Sequence, residues 1–401
     1  MQEKEQQLTF KSLFLPFTTK KAMIFIVIIG LAIFFNMLFN GFVWDDKIYI
    51  VFYTDIHSFN FFAFLKENLF NGGGQYRPIP TMYFSLLYII FKNSTFFYHI
   101  LQLTLHITNA LLLFLVFSKF VEKKLAFFLS LIFLVHPMQV ESVSYIAATG
   151  NPLFFLFGIT AFLLSMNNLN WKKLCIISAL LLFSLLTKEA GVIFLFIVFL
   201  YRFLFKRKQI IPLFLAESVS LLLYSLIRFG IGGVFFSTLP LVPIARLSLV
   251  QRLINIPVII FYYLKTFLFP VDLAIDQQWT INKVNFSNFY LPLIVDLLFV
   301  ILVTILGTYI YKKYKDEIKI YLFFVAWFIF GMLLYLQIFP LDGTVADRWF
   351  YFPIVGLLGI LGIGIHLIKS NHKIIKKISY LLIIFLVILF SIRTITRNTN
   401  W

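Results

Sequence analysis

The stretch from Ala22 to Asp46, AMIFIVIIGLAIFFNMLFNGFVWDD, decides how the rest of the chain is read. Its first part, Ala22 to Gly41, is an apolar run long enough to cross a bilayer, since about 20 helical residues span the ~30 Å hydrocarbon core. Trp44-Asp45-Asp46 follows directly and sets two adjacent carboxylates at the mouth of a membrane segment. An ionised side chain there is costly unless it has a task. The run is too long for a signal-peptide core, and the polar Met1–Lys21 stretch before it carries no cleavage pattern. It therefore reads as a retained first helix.

The same character extends over the 401 residues, of which 61% are hydrophobic and 13% charged. A soluble domain of this length does not need that much apolar surface, so the expected fold class is an all-α polytopic membrane protein. Fifty-three Phe, with abundant Ile, Leu, Lys and Asn, suggest an AT-rich bacterial genome and hence the bacterial inner (cytoplasmic) membrane. A single cysteine, Cys175, excludes an intrachain disulfide. A net charge of +17 would suggest nucleic acid in a soluble protein. Here the positive charges cluster between apolar runs, as cytoplasmic loops do, so membrane lipid and no nucleic acid is expected as partner.

Apolar runs and basic clusters together give eleven expected spans, at 22–41, 96–118, 124–140, 145–166, 173–187, 189–205, 210–229, 289–311, 320–339, 348–368 and 378–393. With the N-terminus cytoplasmic, one side holds Lys4, Lys11, Lys20 and Lys21; Lys119, Lys123 and Lys124; Lys172 and Lys173; and Arg202 with Lys206–Lys208. The Lys312–Lys319 and Lys369–Lys377 clusters fall on that side too, as the positive-inside rule requires. Pro78 to Phe91 would make only about 21 Å of helix, and the run at 251–269 carries Pro257. Letting either cross would expel a basic cluster, so both are expected as juxtamembrane helices on the outer face. If both crossed there would be thirteen spans. A single domain, 1–401, then carries two large outer loops, about 42–95 and 230–288.

This topology gathers polar side chains on the outer face. Asp45 and Asp46 begin loop one, and Tyr76-Arg77-Pro78 ends it. His106 and Asn109 share a helix face three residues apart, and His136-Pro137 and Glu141 cap the third span. Lys188-Glu189 forms a turn, and Asp347-Arg348 opens the tenth span. Each has a plainer reading: a helix cap for the Asp pair, headgroup anchors for the Arg residues, an interhelical bond for His106 and Asn109. Together they suit transfer of a sugar from a polyprenyl phosphate. A carboxylate, Asp45, with Asp46 orienting it or the acceptor, would take the acceptor proton. Arg77, Lys188 and Arg348 would stabilise the departing phosphate. Tyr76, His106, Asn109, His136, Glu141, Glu189 and Asp347 would orient donor and acceptor hydroxyls. No cofactor is required. A divalent metal on Asp45, Asp46, Glu141 and His136 is left open, because no spacing here is diagnostic.

At these residues the chain resembles the GT-C superfamily of membrane glycosyltransferases, and within it the transmembrane, tetratricopeptide-repeat O-mannosyltransferases and their bacterial relatives. The resemblance rests on Phe42-Val-Trp-Asp-Asp46, Tyr76-Arg-Pro78, Leu105-His-Ile-Thr-Asn109, His136-Pro-Met-Gln-Val-Glu-Ser-Val143 and Thr187-Lys-Glu-Ala-Gly191. It continues in Leu268-Phe-Pro-Val-Asp-Leu273, Ala346-Asp-Arg-Trp-Phe-Tyr-Phe-Pro353 and Arg397-Asn-Thr-Asn-Trp401, all in order. It implies inverting transfer, often of mannose, from a polyprenyl-phosphate sugar to a protein or glycan hydroxyl on the periplasmic or exoplasmic face, with Asp45 catalytic. Two departures stand out. Ser144–Pro152 carries no charge where members show a charged stretch. The sequence also stops at Trp401, where their repeats of about 34 residues would start, so either a segment has been trimmed or the acceptor is recruited differently. The alternative function is a flippase or transporter for polyprenyl-linked lipids or glycans.

The topology has a direct test. With Cys175 replaced by Ala, single cysteines at Ser58 and Lys206 should react with an impermeant thiol reagent from opposite sides of sealed vesicles. Labelling from the same side would overturn the charge-derived arrangement.

Overall fold

The computed structural model describes residues 17–66, 74–235, 242–273, 275–368 and 373–401. Lys4, Lys11 and Lys369 of the basic clusters lie outside them, as do parts of both large loops. Among the described residues the structure is helical, with one isolated bridge, Gln277 to Val345, and no strand.

The helices are α1 (Thr19–Ile33), α2 (Phe61–Lys66), α3 (Pro78–Phe91), α4 (Thr95–Phe117), α5 (Lys123–Val135), α6 (Val140–Ser144), α7 (Gly150–Ser165) and α8 (Trp171–Thr187). They continue with α9 (Val192–Phe205), α10 (Ile210–Ser225), α11 (Leu249–Leu268), α12 (Leu291–Lys313), α13 (Ile318–Leu333), α14 (Pro353–His366) and α15 (Lys373–Asn398). Their starts follow local chemistry. Thr18 caps α1 by accepting from Lys21 N, and Asn170 caps α8 by accepting from Lys173 N at 2.9 Å. Ser248 and Gln251 form a reciprocal capping box at α11. Pro137 breaks the third expected span into α5 and a segment bent 50° from it, since proline neither donates nor tolerates the preceding carbonyl.

Among the described residues five stretches are long and apolar enough to cross a bilayer alone: 95–117, 146–165, 210–231, 286–313 and 374–398; the bent pair makes a sixth. These apolar helices mark an integral membrane protein. The other expected spans do fall on helices, but shorter ones: α1, α8, α9, α13 and α14. Pro78–Phe91 is a 14-residue apolar helix, as short as α9 and α14. The long helices divide into inner and outer members. Over half of the 95–117 and 146–165 windows is buried, against 11% for 286–313 and 17% for 374–398. Their bare Leu, Ile and Phe surface suits lipid rather than water.

The bundle has two chemically distinct ends. At one, the basic turns meet: Lys206 Nζ donates to Met166 O at 2.6 Å, Arg202 to Asn167 O at 3.2 Å, and Lys376 pairs with Glu122 at 2.8 Å. Phe120 packs its ring there against Phe205 and Phe324. The opposite helix ends carry the conspicuous acidic and basic residues of the sequence. Between them α13 and α14 approach closely. A Cβ at Gly356 would stand 2.4 Å from Phe328 N, and one at Gly359 2.0 Å from the Phe324 ring. Small residues let helix backbones touch where lipid gives no hydrophobic drive to association.

Candidate active site at the mouth of the bundle

The two carboxylates after α1 have different environments. Trp44 takes a left-handed backbone conformation with φ of 41°, which strains a bulky residue and reverses the chain. The turn carries Asp46 inward, where it is fully buried. Its Oδ1 accepts from Ala147 N at 2.6 Å and its Oδ2 from Val43 N at 3.2 Å. Burial pushes the Asp46 carboxyl up to about 7 against those two donors. Asp46 thus fastens the turn to the start of α7. Asp45 stays partly exposed, with the Tyr145 hydroxyl against it.

Three cations expected in the site come from distant segments and are each held by a neighbour. The buried Lys188, in the turn after α8, donates to Asn151 Oδ1 at 2.5 Å. Burial first, then Arg77 and Arg348, lower its ammonium to about 7. Glu189 accepts from Tyr76 N at 2.7 Å, Arg77 Nε at 3.0 Å and Arg228 Nη1 at 3.3 Å. Burial opposes the charge of Glu189, but Arg77 and the Tyr76 N–H outweigh it and hold the carboxyl below its usual range. Arg348 grips the fully buried Glu141 twice, Nη1 to Oε1 and backbone N to Oε2, and also donates to Ile275 O. The Tyr49 hydroxyl, raised to about 12 by burial and then by Asp45, senses Arg77, Asp342 and Arg348 as well. Asp45, Arg77 and Arg348 thus all act on Tyr49, and Arg77 and Arg348 act in turn on Lys188.

Other expected site residues turn inward. His106 bridges Tyr351 Oη and Leu134 O, both at 2.9 Å, and Asn109 donates to Tyr351 Oη and Pro152 O. Both are fully buried and tie α4 to its neighbours. His136, expected to orient a hydroxyl, has both ring nitrogens occupied, by Phe267 O at 3.0 Å and Met138 N at 3.2 Å. Tyr76 is buried with its hydroxyl on Leu65 O. Asp347 is fully buried, accepting from Arg397 at 2.7 Å and Tyr262 at 2.6 Å. Among the described residues no three His, Cys, Asp or Glu side chains gather to hold a metal ion. Asp46, Glu141 and His136, which the sequence left open as ligands with Asp45, are bound to Ala147, Arg348 and Phe267.

Residue-by-residue reading missed Arg228, Arg397, Asp276 and Asp342. Arg228 sits at the end of an apolar run and passes for a headgroup anchor, yet it is buried, donating to Gly74 O at 2.6 Å and to Tyr224 Oη. Arg397 stands in a motif carrying the family resemblance, and that was its available signal. Asp276 lines a cavity of 490 Å³ beside the Asp45 turn, with Trp44, Arg397 and Trp401.

The ion pairs differ in depth, and that fixes their relative worth. Glu141→Ala leaves Arg348 without its carboxylate in a dry setting and should cost about 3–5 kcal/mol. Asp272→Ala removes the exposed partner of Lys265 and should cost less than about 1 kcal/mol. Thermal unfolding in detergent reads both; equal losses would contradict the structural role given to Glu141.

Comparison with known proteins agrees with the sequence resemblance. The chain is 25% identical over 95% of its length to the protein O-mannosyl-transferase TMTC3 of Homo sapiens, and 24% identical to its Mus musculus counterpart. It is 25% identical over 82% of its length to the protein O-mannosyl-transferase F38B6.6 of Caenorhabditis elegans. No family model matches. The chain spans about half the length of the relatives it matches, 46% of the human protein. These relatives are animal proteins, so the bacterial inner membrane remains an expectation from composition alone. The described chain is similar, nearly end to end, to the part of TMTC3 that it covers.

Proposed function

We propose that this protein is a membrane glycosyltransferase that moves a hexose, mannose first, from a polyprenyl phosphate to a hydroxyl of a protein acceptor, on the periplasmic or exoplasmic face. The carrying observation is a partly exposed carboxylate, Asp45, acting on the same Tyr49 hydroxyl as Arg77 and Arg348, two cations that also act on the buried Lys188. The relatives named protein O-mannosyl-transferases support the choice of sugar and of a protein acceptor.

In this reading Asp45 takes the proton from the acceptor hydroxyl as its oxygen attacks the anomeric carbon. The bond from that carbon to the phosphate oxygen breaks on the opposite side, so configuration inverts and polyprenyl phosphate leaves with the bonding pair. Negative charge builds on the phosphate, where preorganised cations stabilise the transition state more than the ground state. Glu189 and Glu141 hold Arg77 and Arg348 in place and act through them. Asp46 sets the direction of Asp45 by fastening the turn.

Two outcomes follow. In reconstituted protein given polyprenyl-phosphate mannose and an acceptor peptide mixture, Asp45→Asn should lower release of polyprenyl phosphate by about 10²–10⁴-fold. Release unchanged in the mutant would end this assignment. A lysine lowered to about 7 carries its charge below that pH and loses it above. Binding of a short-chain prenyl phosphate should therefore weaken as pH rises through neutrality relative to Lys188→Arg, a comparison that cancels the ligand's own titration. Parallel profiles in the two proteins would remove Lys188 from the phosphate site.

A further inference from the structure

The turn between α7 and α8 and the turn between α9 and α10 are laced together at the basic end of the bundle. Gln209 donates to Leu169 O at 2.8 Å and accepts from Leu169 N at 3.2 Å, and Lys206 Nζ reaches Met166 O. Arg202 is buried between them, donating to Ser165 O, Asn167 O and Lys208 O. Together the two turns bring six cations, Lys172, Lys173, Arg202, Lys206, Arg207 and Lys208, and no Asp or Glu. Other basic clusters of the chain are diluted by acids: Glu122 stands among Lys119, Lys123 and Lys124, and Asp316 and Glu317 among Lys312–Lys319. Backbone carbonyls occupy Lys173, Arg202 and Lys206. Lys172, Arg207 and Lys208 are exposed, with no acid in either turn to meet them.

Around these cations the surface is apolar. Trp171 is 70% exposed with Lys172 Nζ 5.7 Å from its ring centre, Arg207 lies over Phe203 at 4.7 Å, and Ile211 is 69% exposed. Indole rings favour the headgroup level of a bilayer. A groove of 350 Å³ runs between α8 and α10 from Leu174, one turn past Trp171, to Leu182 and Leu223, about 12 Å of helix. The hydroxyl lining it, on Ser178, is already bonded to Ser220 at 2.9 Å. Glu217, the next acid along α10, is buried.

Exposed cations at the mouth of an apolar groove match a molecule with an anionic head and an acyl tail. A zwitterionic head would bring its own cation against Lys172, Arg207 and Lys208, and a soluble anion would leave the groove empty. Nucleic acid would lie against Phe203 and Ile211, whose exposed faces suit lipid. We propose that the laced turns and the groove form a binding site for an anionic glycerophospholipid, its phosphate on Lys172, Arg207 and Lys208 and one acyl chain along α8 and α10. Basic pockets between membrane helices recognise such heads through charge. The site lies at the end of the bundle away from Asp45 and does not rest on the transferase reading.

Native mass spectrometry of the full chain in detergent tests it, with dioleoyl phosphatidylglycerol and dioleoyl phosphatidylcholine titrated separately. Wild type should hold phosphatidylglycerol about tenfold more tightly or better. Lys172→Gln, Arg207→Gln and Lys208→Gln combined should weaken phosphatidylglycerol about 10²-fold and leave phosphatidylcholine unchanged, since each cation near a headgroup contributes about fivefold. Ala179→Phe, which fills the groove from its exposed side, should weaken phosphatidylglycerol too. Glycerophosphoglycerol, the same head without chains, should not displace the lipid at equal concentration. Thermal unfolding checks that each variant is folded, and the three cations are exposed, so their replacement reports on the site even if Ala179→Phe unfolds. Equal affinity for the two lipids, or no loss in the folded triple variant, would overturn the site. Displacement by glycerophosphoglycerol, or unchanged binding in folded Ala179→Phe, would show a plain anion site and overturn the lipid.

Discussion

The ion pair of Arg348 with Glu141 is the constraint on which the rest of the site depends. Glu141 is fully buried, and a carboxylate in that position is tolerable only if a cation and further donors meet it. Arg348 does so with its side chain and its backbone N–H together. The pair joins two places where the chain abandons regular helix, the bend at Pro137 and the turn before α14. Asp347, next in the chain, is met by Arg397 from α15 and by Tyr262 from α11. Three segments separated by up to about 260 residues are thus gathered by opposite charges that none of them could bury alone, and the Tyr262 hydroxyl ties α11 to them.

The same logic gives the candidate site its asymmetry. Glu189 accepts from Arg77 and Arg228, so loop one, the turn after α8 and the end of α10 are tied together by one carboxylate. Lys188, adjacent to it, has an amide and no acid within hydrogen-bonding reach, and its charge is correspondingly easy to remove. Asp46 spends both oxygens on backbone N–H groups, whereas Asp45 keeps one face toward solvent. Among the groups given chemical roles, Arg77 and Arg348 are held by Glu189 and Glu141, while Asp45 and Lys188 form no ion pair. The neutral wall of Trp44, Tyr145 and Trp401 completes the rim.

Much of this was legible in the chain. The apolar runs located the helices because a bilayer demands length and uniform apolarity, and Pro78–Phe91 is one of them. The basic turns, clustered in sequence, cluster in space at one end. Other readings needed the fold. His106, Asn109 and His136 look the same in sequence whether they face a ligand or a neighbouring helix, and here backbone carbonyls and Tyr351 claim them. Arg228 looks like a headgroup anchor until Glu189 and Gly74 are seen beside it.

What the sequence by itself determined is whatever is written along one dimension: membrane helices, their caps and breaks, and the end of the bundle to which each charge belongs. These follow from local propensities and from the thickness of a bilayer, which each segment meets on its own. The tertiary structure alone decided which charge pairs with which, that Asp46 is buried and Asp45 is not, and that Trp44, Asp276 and Trp401 border one cavity. Those outcomes depend on distances between segments remote in the chain, and electrostatic and hydrogen-bond energies are set by separation and burial rather than by residue type.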